Sequence, residues 1–245
     1  MKNLITLGTI GLAASSFAQV QLSDGHMDLG LAYEAGAWDP HIHVHDGDIE
    51  YAPDEAYFYY GAASQSTRPA GSAYDFIGVA AGQTIFRNYT NNVVGIPWLG
   101  FGFEEIAPGT FGSYVQTDPR RDPINAEWVD VELLSYTSSN GGHAAFFQGG
   151  GTAPTVWFAT ADGIDSSDRF ISTVGGHEHG SFVFSASGTY ELTFRGSAIL
   201  NGQRIYSDEY TYTFVVMQTV PEPVTVASLG LGTLLVAIRR RRNQK

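Results

Sequence analysis

The sequence predicts an all-β protein, an antiparallel sandwich flanked by one helix at each terminus, and three observations carry that expectation. No stretch of the body sustains a 3.6-residue apolar period over three turns. Short alternating or aromatic runs recur instead between turn signals, in a chain with 29 glycines among 245 residues and 13% aromatics. Near the C-terminal end, two long alternating runs are joined by Asn201-Gly202, the dipeptide that best tolerates two positive φ angles.

The chain begins like an export signal. Met1-Lys2-Asn3 is a short positive segment, Leu4 to Ala14 is apolar, and Ser16-Phe17-Ala18 ends in a small residue, so residues 1–18 read as a signal peptide cleaved after Ala18. The apolar run is shorter than the ~20 residues a bilayer span needs. The mature protein is therefore expected outside the cytoplasm, secreted or on the cell surface. Cysteine is absent, which removes disulfides and thiolate metal sites. Stability must come from a core, and residues 19–217 are long enough to build one large all-β domain or two small ones.

Charge narrows the partners. Between Gln19 and Val220 stand seven arginines and no lysine against 24 carboxylates, a net charge near −17. Such a surface repels phosphate backbones and anionic headgroups, which argues against nucleic acid and peripheral membrane binding, and it attracts cations. The same acidity also keeps an exported protein soluble.

In chain order the expected strands are Met27 to Tyr33, His41 to His45, Tyr57 to Tyr60, Trp128 to Tyr136, Ala144 to Phe147, Thr155 to Phe158 and Ser181 to Ser185. A hairpin of Thr189–Leu200 and Tyr206–Val216 closes the body. Gly188-x-Tyr190 has the spacing of a tyrosine corner, in which a phenol at a strand start bonds back to the main chain, as in Ig-like sandwiches. A jelly-roll-like arrangement of the same strands satisfies the pattern equally.

Three of the seven histidines alternate in Trp38-Asp-Pro-His-Ile-His-Val-His-Asp46. In an extended strand His41, His43 and His45 line one face about 6.6 Å apart, with Ile42 and Val44 on the other. Two such imidazoles can chelate one transition metal at roughly 2 Å, and further ligands must come from elsewhere. Gly25-His26-Met-Asp28 upstream and Gly176-His177-Glu-His179 downstream supply them, leaving only His143 alone. The pattern nominates His26, His41, His43, His45, His177 and His179 as metal ligands. His41 or His43 is expected to meet His177 and His179, with Asp28 and Asp46 orienting rings through the distal nitrogen. Polar residues on a wet strand face, binding nothing, would show the same spacing.

Other constellations carry less. Asp46-Gly-Asp48-Ile-Glu50 resembles a calcium loop without the twelve-residue EF-hand pattern, so calcium stands behind a transition metal. Glu104 and Glu105 are adjacent, hence on opposite faces if extended, which argues against a glycosidase pair. Neither a G-x-S-x-G elbow nor a cysteine nucleophile occurs. The aromatics Tyr57 to Tyr60 and Trp98 to Phe103 could stack on sugars or fill the core.

Gly25-His-Met-Asp-Leu-Gly-Leu-Ala-Tyr-Glu34, Trp38-Asp39 and the histidine strand, Glu50-Tyr-Ala-Pro-Asp-Glu-Ala56, Arg68-Pro-Ala-Gly71, Glu104-Glu-Ile-Ala-Pro-Gly109, Pro154-Thr-Val-Trp157 and Gly176-His-Glu-His179 together resemble bacterial choice-of-anchor M surface proteins. The similarity spans nearly the whole body. Residues 176–216 resemble the surface-anchored repeat of actinobacterial wall proteins, with its G-H-x-H, aromatic strand, S-G-T-Y and closing T-Y-T-F-V-V. The resemblance implies a zinc or manganese role, because members of the wider group accompany metal-type ABC transporters. The family's recurrent histidines match His26, a pair within His41, His43 and His45, and His177 with His179. Gly180-Ser181-Phe182 stands where the repeat has Asn-Trp.

The C-terminal residues 218–245 resemble a PEP-CTERM sorting signal: Pro221-Glu222-Pro223, an apolar segment over 224–238, then Arg239, Arg240, Arg241 and Arg242. The prolines end the last strand, and the arginines stay cytoplasmic by the positive-inside rule. Fifteen residues at ~1.5 Å each give about 22 Å, short of a ~30 Å hydrocarbon core, which suits a transient transmembrane helix. The resemblance implies an exosortase-type sorting machinery as partner. Three function classes follow. The first is a non-enzymatic surface protein that binds zinc or another divalent transition metal, with a metal-uptake system as partner. The second is a structural or adhesive matrix protein associated with exopolysaccharide and holding no metal. The third is a zinc-dependent hydrolase, for which the sequence nominates no general base.

Overall fold

Alternation and turn chemistry become strands almost wherever the sequence shows them. The computed structural model describes residues 19–217; the expected signal peptide, Pro221, Glu222, Pro223, the 224–238 segment and Arg239 to Arg242 lie outside the described residues. In chain order the strands are β1 (Val20–Leu22), β2 (Gly25–Glu34), β3 (Ala37–Val44), β4 (Ile49–Tyr51), β5 (Ala56–Tyr60), β6 (Gln65–Thr67), β7 (Thr84–Arg87), β8 (Pro97–Gly102), β9 (Tyr114–Val115), β10 (Asn125–Ala126), β11 (Trp128–Ser138), β12 (Ala144–Gln148), β13 (Thr155–Ala159), β14 (Arg169–Thr173), β15 (His177–His179), β16 (Ser181–Phe184), β17 (Gly188–Leu200), β18 (Gln203–Tyr206) and β19 (Tyr210–Val216).

These strands form a seven-stranded sheet in the order β1-β5-β19-β17-β11-β14 with β18 beside β17, a five-stranded sheet β13-β12-β16-β7-β6, a second five-stranded sheet β15-β8-β2-β3-β4, and a β9–β10 ribbon. The arrangement is all-β and compatible with a sandwich. It is mixed rather than purely antiparallel, because β1 pairs β5, β5 pairs β19 and β2 pairs β8 in parallel. Parallel partners need long crossovers, which neither local periodicity nor a turn signature reveals. Phenylalanine rings cement the core: Phe101 stacks on Phe170 at 4.6 Å, Phe146 meets Phe182 at 4.6 Å, and Phe182 stacks on Phe214 at 5.4 Å between ring centroids.

The closing hairpin forms as its turn residues require. Asn201 and Gly202 take φ of 51° and 77°, and Leu200 opposes Gln203. Pairing lapses at Ser207-Asp208-Glu209, which stand against Arg195 and Gly196, and resumes from Phe194↔Tyr210 to Gly188↔Val216. The extra residue makes a bulge, anchored where Gly196 N–H donates to Ser207 Oγ at 2.8 Å. Tyr190 O–H donates to the Ala186 carbonyl at 2.8 Å, the bond expected of a tyrosine corner.

Candidate metal centre

Strand β2 places the site, since it lies between parallel β8 and antiparallel β3 in the sheet β15-β8-β2-β3-β4. Residues opposed across a ladder point to the same face. His26 therefore shares a face with Trp98, Asp28 with Gly100 and His43, and Gly30 with Gly102 and His41. On the outer edge of β8, β15 sets His177 against Gly102 and His179 against Gly100. His45 lies one residue past β3, and its N–H donates to the His26 carbonyl at 3.1 Å, so its ring joins the row. Met27, Leu29, Ile42, Leu99 and Phe101 point the other way and are buried in the core. Period-two alternation thus separates an apolar face from a histidine face.

Glycines make room for the rings. A Cβ on Gly100 would stand 2.6 Å from the Glu178 carbonyl oxygen, 2.7 Å from Asp28 Oδ1 and 3.0 Å from His179 Nδ1. One on Gly30 would fall 2.2 Å from His41 Nε2. Side chains there would fill the space that the polar groups occupy.

Three imidazole nitrogens converge. His26 Nε2 lies 3.0 Å from His177 Nε2 and 2.9 Å from His179 Nε2, and the latter two are 2.9 Å apart. A neutral ring nitrogen carries either one proton or one in-plane lone pair, so three such atoms in a triangle cannot satisfy one another by hydrogen bonds. A shared cation can. For nitrogens ~2.0–2.1 Å from one ion, this spacing corresponds to nitrogen–metal–nitrogen angles of about 90°, the facial cap of a five- or six-coordinate ion. Asp28, fully buried, adds a carboxylate: Oδ2 is 3.0 Å from His177 Nε2 and 2.6 Å from His45 Nε2, while Oδ1 has no hydrogen-bond partner among the described residues. His26, Asp28, His45 and His177 can hold a metal ion.

The surroundings fix the rings. His177 Nδ1 lies 3.1 Å from Glu104 Oε1, the carboxylate contact that commits the Nδ1 proton and leaves Nε2 to ligate. His26 stacks on His45 at 3.8 Å, and Trp98 stacks on His179 at 4.4 Å. Burial pushes the His26 imidazole down to about 4, with nearby rings adding to the fall and Asp28 opposing it. Burial also lowers His179. His177 rises to about 8, first through its hydrogen bond to Asp28. Burial alone would raise the Asp28 carboxyl, but the bonds and charge of His177 and His45 outweigh it and hold it below the ordinary value. Two rings are thus ready as neutral ligands, and the third waits paired with the carboxylate.

The six nominated histidines share one face but not one point. His26, His177 and His179 meet, with His45 at their edge. His41 and His43 lie further along β3 and face Glu105, with His41 Nε2 3.0 Å from Oε2 and His43 Nδ1 3.5 Å from Oε1. The expected meeting of His41 or His43 with His177 and His179 therefore gives way to His26, because β2, not β3, is the strand one position from β8. Asp28 belongs to the donor set rather than behind it. His43 turns to Asp48, at 3.0 Å, and not to Asp46.

Glu104 and Glu105 both turn toward this face, contrary to the opposite-face expectation. They follow the end of β8 in a turn closed by Ile106 N–H on the Phe103 carbonyl at 3.2 Å, where strand alternation no longer applies. The signal for them lay in Leu99-Gly-Phe-Gly-Phe-Glu-Glu105: alternating glycines on one strand face mark close approach by other groups. Trp98 stands on the histidine face, whereas Leu99, Phe101 and Phe103 are core; Tyr57, Phe58 and Tyr60 are buried as well.

Comparison of the chain with protein-family models, with curated proteins and with solved structures gives no match.

Proposed function

We propose that this is an exported, non-enzymatic surface or matrix protein of sandwich type whose β body binds a divalent first-row transition metal, zinc foremost, through His26, His177, His179 and Asp28. One observation carries the reading: three Nε2 atoms from β2 and β15 lie 2.9–3.0 Å from one another. Imidazole and carboxylate donors without thiolate suit zinc, nickel, iron or manganese; zinc stands above iron and manganese in affinity, and geometry and metal availability decide between zinc and nickel. An acidic body draws cations toward the site. Glu104 and Glu105 are taken up by His177, His41 and His43, which favours binding over hydrolysis.

The ends of the chain complete the proposal. A signal peptide over 1–18 and a PEP-CTERM-like tail over 218–245 would send the body through an exosortase-type machinery to the surface, where a metal-uptake system is the partner class that the family resemblance implies. Metal analysis of the purified protein after exchange into zinc tests the first part, with one tightly held ion per chain expected. Loss of that ion in a His26→Ala/His177→Ala variant would attribute it to this centre; an unchanged content would refute the assignment. Fractionation of cells making a chain truncated after Met217 tests the second, with the protein expected to leave the surface.

A further inference from the structure

A second set of donors lies at the other end of the histidine face. His41 is 5% exposed, and its Nδ1 is 3.0 Å from the Asp39 carbonyl oxygen, so the Nδ1 proton is donated there and Nε2 keeps its lone pair. That nitrogen is buried without a hydrogen-bond partner among the described residues. Glu105 Oε2 lies 3.0 Å away but outside hydrogen-bonding alignment. Two electron-rich atoms held so close repel unless a proton or a metal cation stands between them.

The surroundings form a built site. Gly30 supplies the floor, since a Cβ there would stand 2.2 Å from His41 Nε2. Tyr212 O–H donates to the His41 carbonyl at 2.7 Å and pins the backbone. Glu50, opposite His43 on β4, brings a second carboxylate, and the ligand atoms of His41, Glu50 and Glu105 all lie within 4.8 Å of one another. Four residues of strand, ~13 Å, separate His41 from His45, so this set is distinct from the cluster at His26.

We propose that His41, Glu50 and Glu105 form a second divalent-cation site, with water completing the coordination. One imidazole and two carboxylates make a harder donor set than three imidazoles and one carboxylate, so this site tolerates manganese better and binds zinc more weakly than the first. It does not depend on the first centre being filled.

Calorimetric titration of the full chain with zinc(II), and separately with manganese(II), tests the proposal, alongside E50Q/E105Q and H26A/H177A variants. The glutamines keep side-chain size while removing the charges, and circular dichroism checks that each variant folds. Two zinc ions per wild-type chain are expected, the weaker lost or weakened more than tenfold in E50Q/E105Q and the tighter lost in H26A/H177A. A single ion abolished by H26A/H177A and indifferent to E50Q/E105Q would overturn the second site and leave the first standing. A single ion with the opposite dependence would uphold the second site and remove the first. A second ion unaffected by E50Q/E105Q would also overturn the proposal, as would no binding at all.

Discussion

His26 Nε2 lies 3.0 Å from His177 Nε2, although 151 residues separate the two in sequence and β8 lies between their strands. An ion held there ties β2 to β15 through side chains where no backbone ladder joins them. Replacing either ligand removes a donor outright. His26→Ala and His177→Ala should each weaken zinc binding more than ~100-fold, whereas His45→Ala, which loses the 2.6 Å contact that positions Asp28, should cost the ~10–100-fold typical of outer-shell partners. Isothermal titration of the three variants checks the ranking.

A bridge between distant segments stabilises the folded state by mass action. At zinc a hundredfold above its dissociation constant the gain should be about 2.7 kcal/mol, or roughly 5–10 °C in Tm for a domain of this size. Calorimetry with and without chelator measures it, and an unchanged Tm with bound zinc would mean that the unfolded chain binds equally well.

Binding should depend on pH with a definite sign. The His177 imidazole, raised to about 8 beside Asp28, must lose its proton to ligate, so affinity should climb from pH 6 to about 8 and level off above it. In the metal-free chain the raised value means that the His177–Asp28 pair contributes stability below pH 6.5 and loses it as pH rises through about 8. His26, lowered to about 4, has the opposite sign: its neutral form favours the fold above pH 6.5, and that contribution is lost as pH falls through about 4. Histidine titration by NMR should show these two rings at opposite extremes, and zinc binding at pH 7 should release close to one proton per ion in buffers of differing ionisation enthalpy.

Gly100→Ala is expected to damage site and fold together. Its Cβ would meet Asp28 Oδ1 at 2.7 Å and the Glu178 carbonyl at 2.6 Å, and neither backbone nor a buried carboxylate can yield cheaply. A loss of about 1–3 kcal/mol, with weaker zinc binding, should appear in chemical denaturation and titration of the same variant.

Away from the centre, Asp118 contributes to stability in acid. Hydrogen bonds from Arg120 hold its carboxyl at about 2, below the ordinary 3.8, at distances of 2.9 Å to Nε and 2.8 Å to Nη2. A lowered value means stability present above pH 3.8 and lost as pH falls through about 2. Asp118→Asn should destabilise the protein at pH 7 and flatten the decline between pH 4 and 2 in a denaturation series.

Sequence alone determined the strand-rich body, the Asn201-Gly202 turn, the Tyr190 corner and the six histidines from which a centre could be drawn. Each is written within a few neighbouring residues: period-two alternation, a dipeptide that accepts positive φ, a phenol four residues from its carbonyl, rings at i and i+2. Tertiary structure decided which histidines meet. Parallel pairing of β2 with β8, and antiparallel pairing of β15 along the far edge of β8, selected His26 over His41, made Asp28 a donor and turned Glu104 and Glu105 onto the same face. Strand order and register are settled by burial of Met27, Leu29, Leu99 and Phe101 against a core assembled from the whole body, so no local pattern around a histidine could specify its partner 151 residues away.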